Sequence, residues 1–170
     1  DLSHFEIFKH EKYKQASIEK LKEIKLKIAS QRYNYESEIC GIEKWFPIIS
    51  SEELRDKSVL DLGCAGGGCL VYWKERYQFG ETKGIDMNPS FEEAGRLFSQ
   101  QKGVDIEFRT GYGENLPYES NCFDFIISND VFEHVHDVEK VMNECFRVLK
   151  SDGKLLVRFP QYLQPLESHS

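Results

Sequence analysis

The sequence predicts an α/β fold in which a doubly wound, mostly parallel sheet follows an N-terminal helical extension. Two observations lead to this prediction: short apolar runs alternate with amphipathic segments from residue 57 onward, and the preceding segment has helical periodicity alone. The chain has 170 residues, of which 40% are hydrophobic and 30% charged, as in one globular domain. We expect a helical cap over residues 1–50 and the sheet domain over residues 51–170.

The N-terminal extension carries two apolar series with helical spacing. They are Ile18, Leu21, Ile24 and Ile28, and then Tyr35, Ile39, Ile42 and Phe46. Each series suits one face of an amphipathic helix, so we expect two helices that pack on the core and end before Pro47. Alternatively, these helices cover a binding site, lined by Tyr13, Tyr33, Tyr35 and Trp45.

Five strands and three helices are predicted beyond residue 57. The strands are expected at residues 58–62, 83–86, 104–108, 123–128 and 154–159, with a turn at 151–153. The helices begin near Gly67, at Asn88 and at Asp137, and Asn88 followed by Pro89 is a strong N-terminal signal. In such a sheet, ligands bind beyond the carboxyl ends of the strands, where the strand order reverses.

The composition narrows the classes of partner. A net charge of −7 argues against nucleic acid, which is bound by clustered lysine and arginine. The chain has no apolar stretch of the length that a membrane helix needs. Its five cysteines form no C-x-x-C pair, which argues against a structural zinc site and favours a reducing compartment, so we expect a cytoplasmic protein without a metal.

The segment from residue 59 to 68 runs from a strand into a glycine-rich turn and then a helix. Missing side chains let a ligand lie against the backbone, and the helix start offers free N–H groups. Asp86 ends the next predicted strand, where a carboxylate can accept hydrogen bonds from both hydroxyl groups of a ribose. Together, the loop and the acid predict an adenosine-type ligand.

Two classes of cofactor compete for this loop. A nicotinamide dehydrogenase has G-x-G-x-x-G, but Gly63, Ala65 and Gly68 occupy these positions, so the middle glycine is missing. Asp61 faces the predicted crevice, where a carboxylate is unfavourable beside a pyrophosphate. It suits an amine-bearing ligand without phosphate, such as S-adenosylmethionine.

At these residues the chain resembles the class I S-adenosylmethionine-dependent methyltransferases, most closely the group with the type-11 methyltransferase domain. The resemblance runs from about residue 57 to 159 and rests on six ordered motifs, at residues 60–67, 84–87, 114–118, 123–128, 132–135 and 147–155. It implies a Rossmann-like fold. It also implies transfer of a methyl group from S-adenosylmethionine to a small-molecule O, N or C nucleophile, leaving S-adenosylhomocysteine.

The resemblance also implies roles for individual residues. The amino acid half of the cofactor would be bound by Asp61, Gly63, Cys64, Ala65 and Gly67. Asp86 would bind the ribose and Met87 the adenine face, and backbone groups of Ser128 and Asn129, more than their side chains, would line the methyl-donor pocket. One departure is Tyr112, which stands where many relatives have an aspartate that binds the adenine amine. We therefore expect backbone groups around Gly113 and Glu114 to bind adenine.

His134 is the candidate catalytic residue, as a general base if the acceptor must lose a proton. The alternative is that this ring forms part of the pocket wall or caps a helix. Two other functions stay open: a non-catalytic module that binds S-adenosylmethionine as a regulatory or partner subunit, and a NAD-dependent oxidoreductase.

The sheet is expected to be incomplete at its C-terminal side. Relatives continue after the fifth strand with a helix and two further strands, whereas this sequence stops at Ser170. The fifth strand would then be a bare edge, which proteins usually cover. We expect a further segment, or a second copy in a homodimer, to cover it.

Overall fold

A five-stranded parallel sheet forms the centre of the computed structural model, which describes residues 18–39 and 41–159. Its strands are β1 (Val59–Leu62), β2 (Thr82–Asp86), β3 (Glu107–Thr110), β4 (Phe123–Asn129) and β5 (Leu149–Arg158). They lie in the order β3-β2-β1-β4-β5, and all neighbouring pairs are parallel. The strand order reverses beside β1, so the predicted doubly wound fold is confirmed.

Helices cover both faces of this sheet. They are α1 (Ile18–Ile39), α2 (Ile42–Trp45), α3 (Ser51–Leu54), α4 (Gly68–Tyr77), α5 (Pro89–Lys102) and α6 (Val138–Val148), with a 3₁₀ helix at Phe132–His134. On one face, Ala29 of α1, Trp73 of α4 and Phe98 of α5 share an apolar core with the sheet. On the other face, Val141 and Cys145 of α6 pack on the sheet in a second core.

Two helix starts follow the sequence signals. The Asn88 side chain accepts a hydrogen bond from the Ser90 N–H at 3.0 Å, and Pro89 begins α5. The Asp137 side chain accepts one from the Lys140 N–H at 3.0 Å and caps α6. Both caps satisfy backbone groups that the first helical turn leaves without partners.

The N-terminal helices differ from the prediction in register. The second apolar series does not lie on one helix, because Tyr35 and Ile39 belong to α1, Ile42 begins α2 and Phe46 follows α2. Tyr35 is 45% exposed, so its predicted inward position is wrong. The most buried positions of α1 are Lys25, Ala29 and Glu36, because this face of α1 packs against α4 and α5. Tyr13 lies outside the described residues.

Two strands have different bounds from those predicted. β3 begins at Glu107 and not at residue 104, because its pairing with β2 begins where Glu107 lies opposite Lys83. The predicted turn at residues 151–153 is a bulge within β5. Leu149 lies opposite Phe123 and Lys154 opposite Phe125, so the residues between Leu149 and Lys154 loop out of the ladder.

β5 forms one edge of the sheet that the structure describes, as predicted for the fifth strand. Residues 160–170 lie outside the described residues, and a cover over this edge stays a prediction. Within the described residues, no helix is both long enough and apolar enough to span a membrane. The four cysteines described there are all free thiols.

Candidate functional site

The glycine loop between β1 and α4 is fixed by close packing and by hydrogen bonds to β2. Gly63 has a φ of 81°, and a Cβ added there would lie 2.3 Å from Cγ2 of Val131. The N–H groups of Gly63 and Cys64 donate to the Ile85 carbonyl at 2.8 and 3.1 Å. Ala65 has a φ of 46°, which is strained for a residue with a side chain. Such strain is often found where a backbone must meet a ligand.

Asp61 is a buried acid in β1, two residues before Gly63. The residue is only 4% exposed, and no hydrogen bond to its side chain forms within the described residues. Burial, and to a smaller extent the negative charges of Asp86 and Glu36, raise the pKa of this carboxyl to about 8. An ionised buried acid without a partner is unfavourable by itself, and a cation can stabilise it, so a cation-binding role of Asp61 stays a prediction.

Asp86 connects the glycine loop to the start of α5. Its Oδ2 accepts from the Ala65 N–H at 3.0 Å, and its Oδ1 accepts from the Asn88 N–H at 2.9 Å. Burial raises the pKa of Asp86, and these two backbone hydrogen bonds oppose that shift. Each carboxylate oxygen can accept more than one hydrogen bond, so ligand hydroxyl groups can still bind.

Two large exposed side chains follow the ends of the neighbouring strands β2 and β3. Met87 follows β2 and is 55% exposed, and Tyr112 follows β3 and is 62% exposed. The strand ends are joined by the Gly111 N–H, which donates to the Asp86 carbonyl at 2.9 Å. Gly113 and Glu114 come next in the same loop. Met87 and the Gly113–Glu114 segment thus follow two neighbouring strands, and their predicted contact with an adenine stays a prediction.

The end of β4 and the residues after it lie on the other side of β1 from β2. Oδ1 of Asn129 and Oε2 of Glu133 are buried and have no hydrogen-bond partner in the described part of the chain. The Ser128 hydroxyl donates to the Leu62 carbonyl at 3.2 Å and joins β4 to β1. The His134 side chain is 65% exposed, and its Nε2 lies 3.8 Å from Oε1 of Glu133. Its role as a base stays a prediction.

The predicted site residues therefore lie on the side of the sheet where the parallel strands have their carboxyl ends. Asp61, the glycine loop, Asp86 with Met87, Gly113 with Glu114, and Asn129 all follow or end strands at their carboxyl ends. Cys64 is buried in the loop, and burial raises its thiol pKa well above the usual value of 9.0. A thiol in this state is protonated at neutral pH and suits packing.

A family model described as a methyltransferase domain matches residues 60–157, which hold all of these residues. The chain belongs to this methyltransferase domain family. The match confirms the resemblance inferred from the ordered motifs, and it begins just before Asp61 and ends at Val157 of β5. Helices α1 and α2 lie outside it.

Similar proteins include methyltransferases with different acceptors. The chain is 34% identical over 112 residues to the uncharacterized methyltransferase YcgJ of Bacillus subtilis, covering 65% of this chain and 44% of YcgJ. It is 30% identical to norajmaline N-methyltransferase of Rauvolfia serpentina, covering 65% of this chain and 38% of that protein. It is 34% identical to the ubiquinone biosynthesis O-methyltransferase of Xanthomonas euvesicatoria, covering 62% of this chain and 44% of that enzyme.

The fold of this methyltransferase domain also matches a solved relative. The crystal structure of YcgJ from Bacillus subtilis superposes with a TM-score of 0.61 at 31% identity, covering 69% of this chain and 50% of YcgJ. The chain spans less than half the length of the three curated relatives named above.

Two residues near the candidate site were not identified from the sequence. The charge of Glu36, on α1, raises the pKa of Asp61, and Val131 packs over Gly63. Glu36 lies among charged and polar neighbours in the sequence, so the apolar series did not mark it as buried. A search for helix positions in phase with Ala29 could have suggested it, since residues 29, 33 and 36 share a helical face.

Proposed function

We propose that the protein is an enzyme that transfers a methyl group from S-adenosylmethionine to a small-molecule O, N or C nucleophile and releases S-adenosylhomocysteine. The observation that carries this proposal is the Asp61 carboxylate, which is 4% exposed and has no hydrogen-bond partner within the described residues. S-adenosylmethionine has an ammonium group that would pair with it. A pyrophosphate at the same position would be repelled.

The residues of the crevice would hold each part of this cofactor. Asp61 and the glycine loop would bind its amino acid half, and Asp86 would accept hydrogen bonds from the ribose hydroxyls. Met87 would pack against the adenine, and backbone groups of Gly113 and Glu114 would bind its edge. When bound, S-adenosylmethionine supplies an electrophilic methyl group on a positively charged sulfur.

The protein's contribution to the reaction is alignment and exclusion of water. The crevice between the ends of β1 and β4 would hold the acceptor in line with the methyl group, which lowers the barrier by fixing the reacting atoms. His134 is the candidate base for an acceptor that must lose a proton. We place this activity in the cytoplasm, because five cysteines without a C-x-x-C pair favour a reducing compartment.

Titration calorimetry with the full-length natural protein tests the cofactor. We expect S-adenosylmethionine and S-adenosylhomocysteine to bind and NAD to give no heat. Asp86→Ala should weaken binding about tenfold or more by removing the ribose acceptors, while the exposed Asp152→Ala serves as a control with unchanged affinity. Binding of NAD without S-adenosylhomocysteine would refute the proposal.

Catalysis needs a separate measurement. We expect the same protein to transfer a labelled methyl group to at least one compound in a panel of small amines, phenols and carbon acids. Tight binding of S-adenosylmethionine without transfer to any of them would instead favour a non-catalytic binding module.

A further inference from the structure

The loop after β3, residues 111–118, is held at both of its ends. At its start, the Gly111 N–H donates a hydrogen bond to the Asp86 carbonyl at 2.9 Å, which joins the loop to the end of β2. Toward its other end, the Leu116 and Tyr118 side chains are buried in the apolar core that α6 shares with the sheet. The middle of the loop therefore lies between two fixed points.

An ion pair on α6 holds the second of these points through the loop backbone. Oε2 of Glu144 accepts from the Leu116 N–H at 2.7 Å. Nη2 of Arg147 donates to the Leu116 carbonyl at 3.0 Å, and its Nη1 donates to the Tyr118 carbonyl at 2.8 Å. The two side chains also bind each other, because Nε and Nη2 of Arg147 each lie 2.7 Å from an oxygen of Glu144. A planar pair of this kind fixes direction as well as distance.

The same helix also supports the middle of the loop. A Cβ added to Gly113 would lie 3.2 and 3.3 Å from the two Cγ atoms of Val141, so the loop backbone lies directly against this side chain. Val141, Glu144 and Arg147 follow one another at intervals of three residues and share one face of α6. This face therefore sets the position of the loop at Gly113 as well as at its end.

The backbone groups between the two fixed points are not used by the fold. The N–H and carbonyl groups of Gly113 and Glu114 form no hydrogen bond within the described residues. The Leu116 N–H and the carbonyls of Leu116 and Tyr118 are already occupied by α6. Gly113 and Glu114 therefore carry the donors and acceptors of this loop that a ligand can use, at a position that α6 sets.

We infer that Glu144 and Arg147 are positioning residues, which hold the backbone of Gly113 and Glu114 so that it selects a 6-amino purine over a 6-oxo purine. This inference rests on the proposed function, since it assumes that the cofactor places its base against this loop.

The two kinds of purine differ in the order of their hydrogen-bonding groups. The edge of adenine has an N–H donor at position 6 beside an acceptor at N1, and it pairs with a backbone carbonyl beside a backbone N–H. A 6-oxo purine has an acceptor at position 6 beside an N–H at N1, so both groups would be mismatched. A loop held in place cannot reverse its peptide groups to suit the second base, whereas a mobile loop can.

Titration calorimetry with two ligands measures this selection. S-adenosylhomocysteine and its 6-oxo analogue, S-inosylhomocysteine, have the same ribose and the same amino acid half and differ only at this edge of the base. We expect the full-length wild type to bind S-adenosylhomocysteine at least about tenfold more tightly than S-inosylhomocysteine.

Arg147→Lys should reduce this preference to within about threefold. Lysine keeps the positive charge beside Glu144, so the variant should fold, but its single nitrogen cannot hold two carbonyls and a carboxylate in one plane. The loss should fall on S-adenosylhomocysteine, with the affinity for S-inosylhomocysteine unchanged within about twofold, because the 6-oxo base gains nothing from a fixed loop.

Glu144→Ala should reduce the preference in the same way by releasing the Leu116 N–H. Glu144→Gln retains an oxygen for that N–H and should restore most of the preference. The matched control is Lys140→Ala, which removes a different ion pair of α6, between Lys140 Nζ and Asp137 Oδ2 at 3.3 Å, and should behave as the wild type.

The possible outcomes separate the two claims. An unchanged preference in Arg147→Lys and Glu144→Ala would overturn the positioning role, and so would an equal loss of affinity for both ligands, which is the effect of a pair that only stabilises the fold. A wild type that binds both ligands equally would overturn it too. Each of these results leaves the methyltransferase proposal standing, whereas failure of the wild type to bind S-adenosylhomocysteine at all would overturn both.

Discussion

At the scale of single residues, Asp61 has opposite effects on binding and on stability. The carboxylate that would pair with a cofactor ammonium is 4% exposed and lies near two other acids, Asp86 and Glu36. In the ligand-free protein no group described here compensates it, so its ionised form is unfavourable. A functional residue of this kind should make the empty protein less stable at neutral and higher pH.

The pH dependence of stability tests this effect of Asp61. Its pKa rises from an ordinary 3.8 to about 8 in the folded protein, so between these values the folded state binds more protons than the unfolded state. The stability contribution of Asp61 is therefore fully present below pH 3.8 and is lost as the pH rises toward 8. We expect Asp61→Asn to be more stable than the wild type at pH 8, by on the order of a few kcal/mol. At pH 5 the same difference in stability should be smaller.

Urea denaturation at pH 5, 6, 7 and 8 measures this difference. Asp124, whose pKa is lowered to about 2, contributes stability that is lost only as the pH falls below 3.8, so it does not vary in this range. The exposed Asp152→Asn is the control and should follow the wild type. Parallel curves for Asp61→Asn and the wild type would show that Asp61 is not a neutral buried acid.

At the scale of elements, the sequence correctly predicted a helix start that depends only on residues close together in the chain. The Asn88–Pro89 pair predicted the start of α5, and the structure has the expected cap. The bounds of β3 and the buried face of α1 depend instead on contacts between distant segments. β3 begins where it meets Lys83 of β2, and α1 turns Ala29 and Glu36 inward because it packs on α4 and α5.

The candidate site likewise combines positions that could be predicted from the sequence with one that could not. Asp61, the glycine loop and Asp86 follow strands in a recognisable order, so their position at one edge could be predicted from the sequence. Glu36 could not, because its approach to Asp61 depends on how α1 crosses the sheet. That crossing is fixed by packing between helices, which a single sequence does not encode as a local pattern.

The contact between α1 and α4 leads to a prediction at this scale. A Cβ added to Gly68 would lie 2.1 Å from the Ala29 carbonyl oxygen, so Gly68→Ala should push α1 away and lower stability by roughly 1–3 kcal/mol. Gly66→Ala, in the same loop, is the matched control. Its added Cβ would meet Ala94 and Ala29 at 3.6 and 3.8 Å, which are ordinary contacts.

Thermal and urea unfolding of the two variants measures the difference. Near-ultraviolet circular dichroism of Trp73, which contacts Glu36 of α1, should change in Gly68→Ala and not in Gly66→Ala. Equal stability of the two variants would mean that α1 does not lie against α4 as closely as described.

At the scale of the whole molecule, the candidate site joins elements that are distant in the sequence. The ends of β1, β2 and β4 and the loop after β3 meet at one edge of the sheet, and α1 adds Glu36 from its own face. A ligand that contacts all of them would stabilise their mutual packing, since binding to the folded state alone adds to its stability. The N-terminal helix should therefore respond to the cofactor although the family model does not include it.

Hydrogen exchange with and without S-adenosylhomocysteine tests this coupling. We expect slower exchange in the glycine loop at residues 63–67 and also in α1 around residues 29–36, because Gly68, at the end of this loop, packs directly on Ala29 of α1. The bulge of β5 near Gly153 lies where the pairing of β4 with β5 begins, at the opposite end of the strands from the glycine loop. It is the internal control, and its exchange rate should not change. Protection confined to the loop would mean that α1 is only a structural cover. Slower exchange in both the glycine loop and α1 would mean that the helix belongs to the binding unit, because ligand binding would then stabilise its packing against the loop.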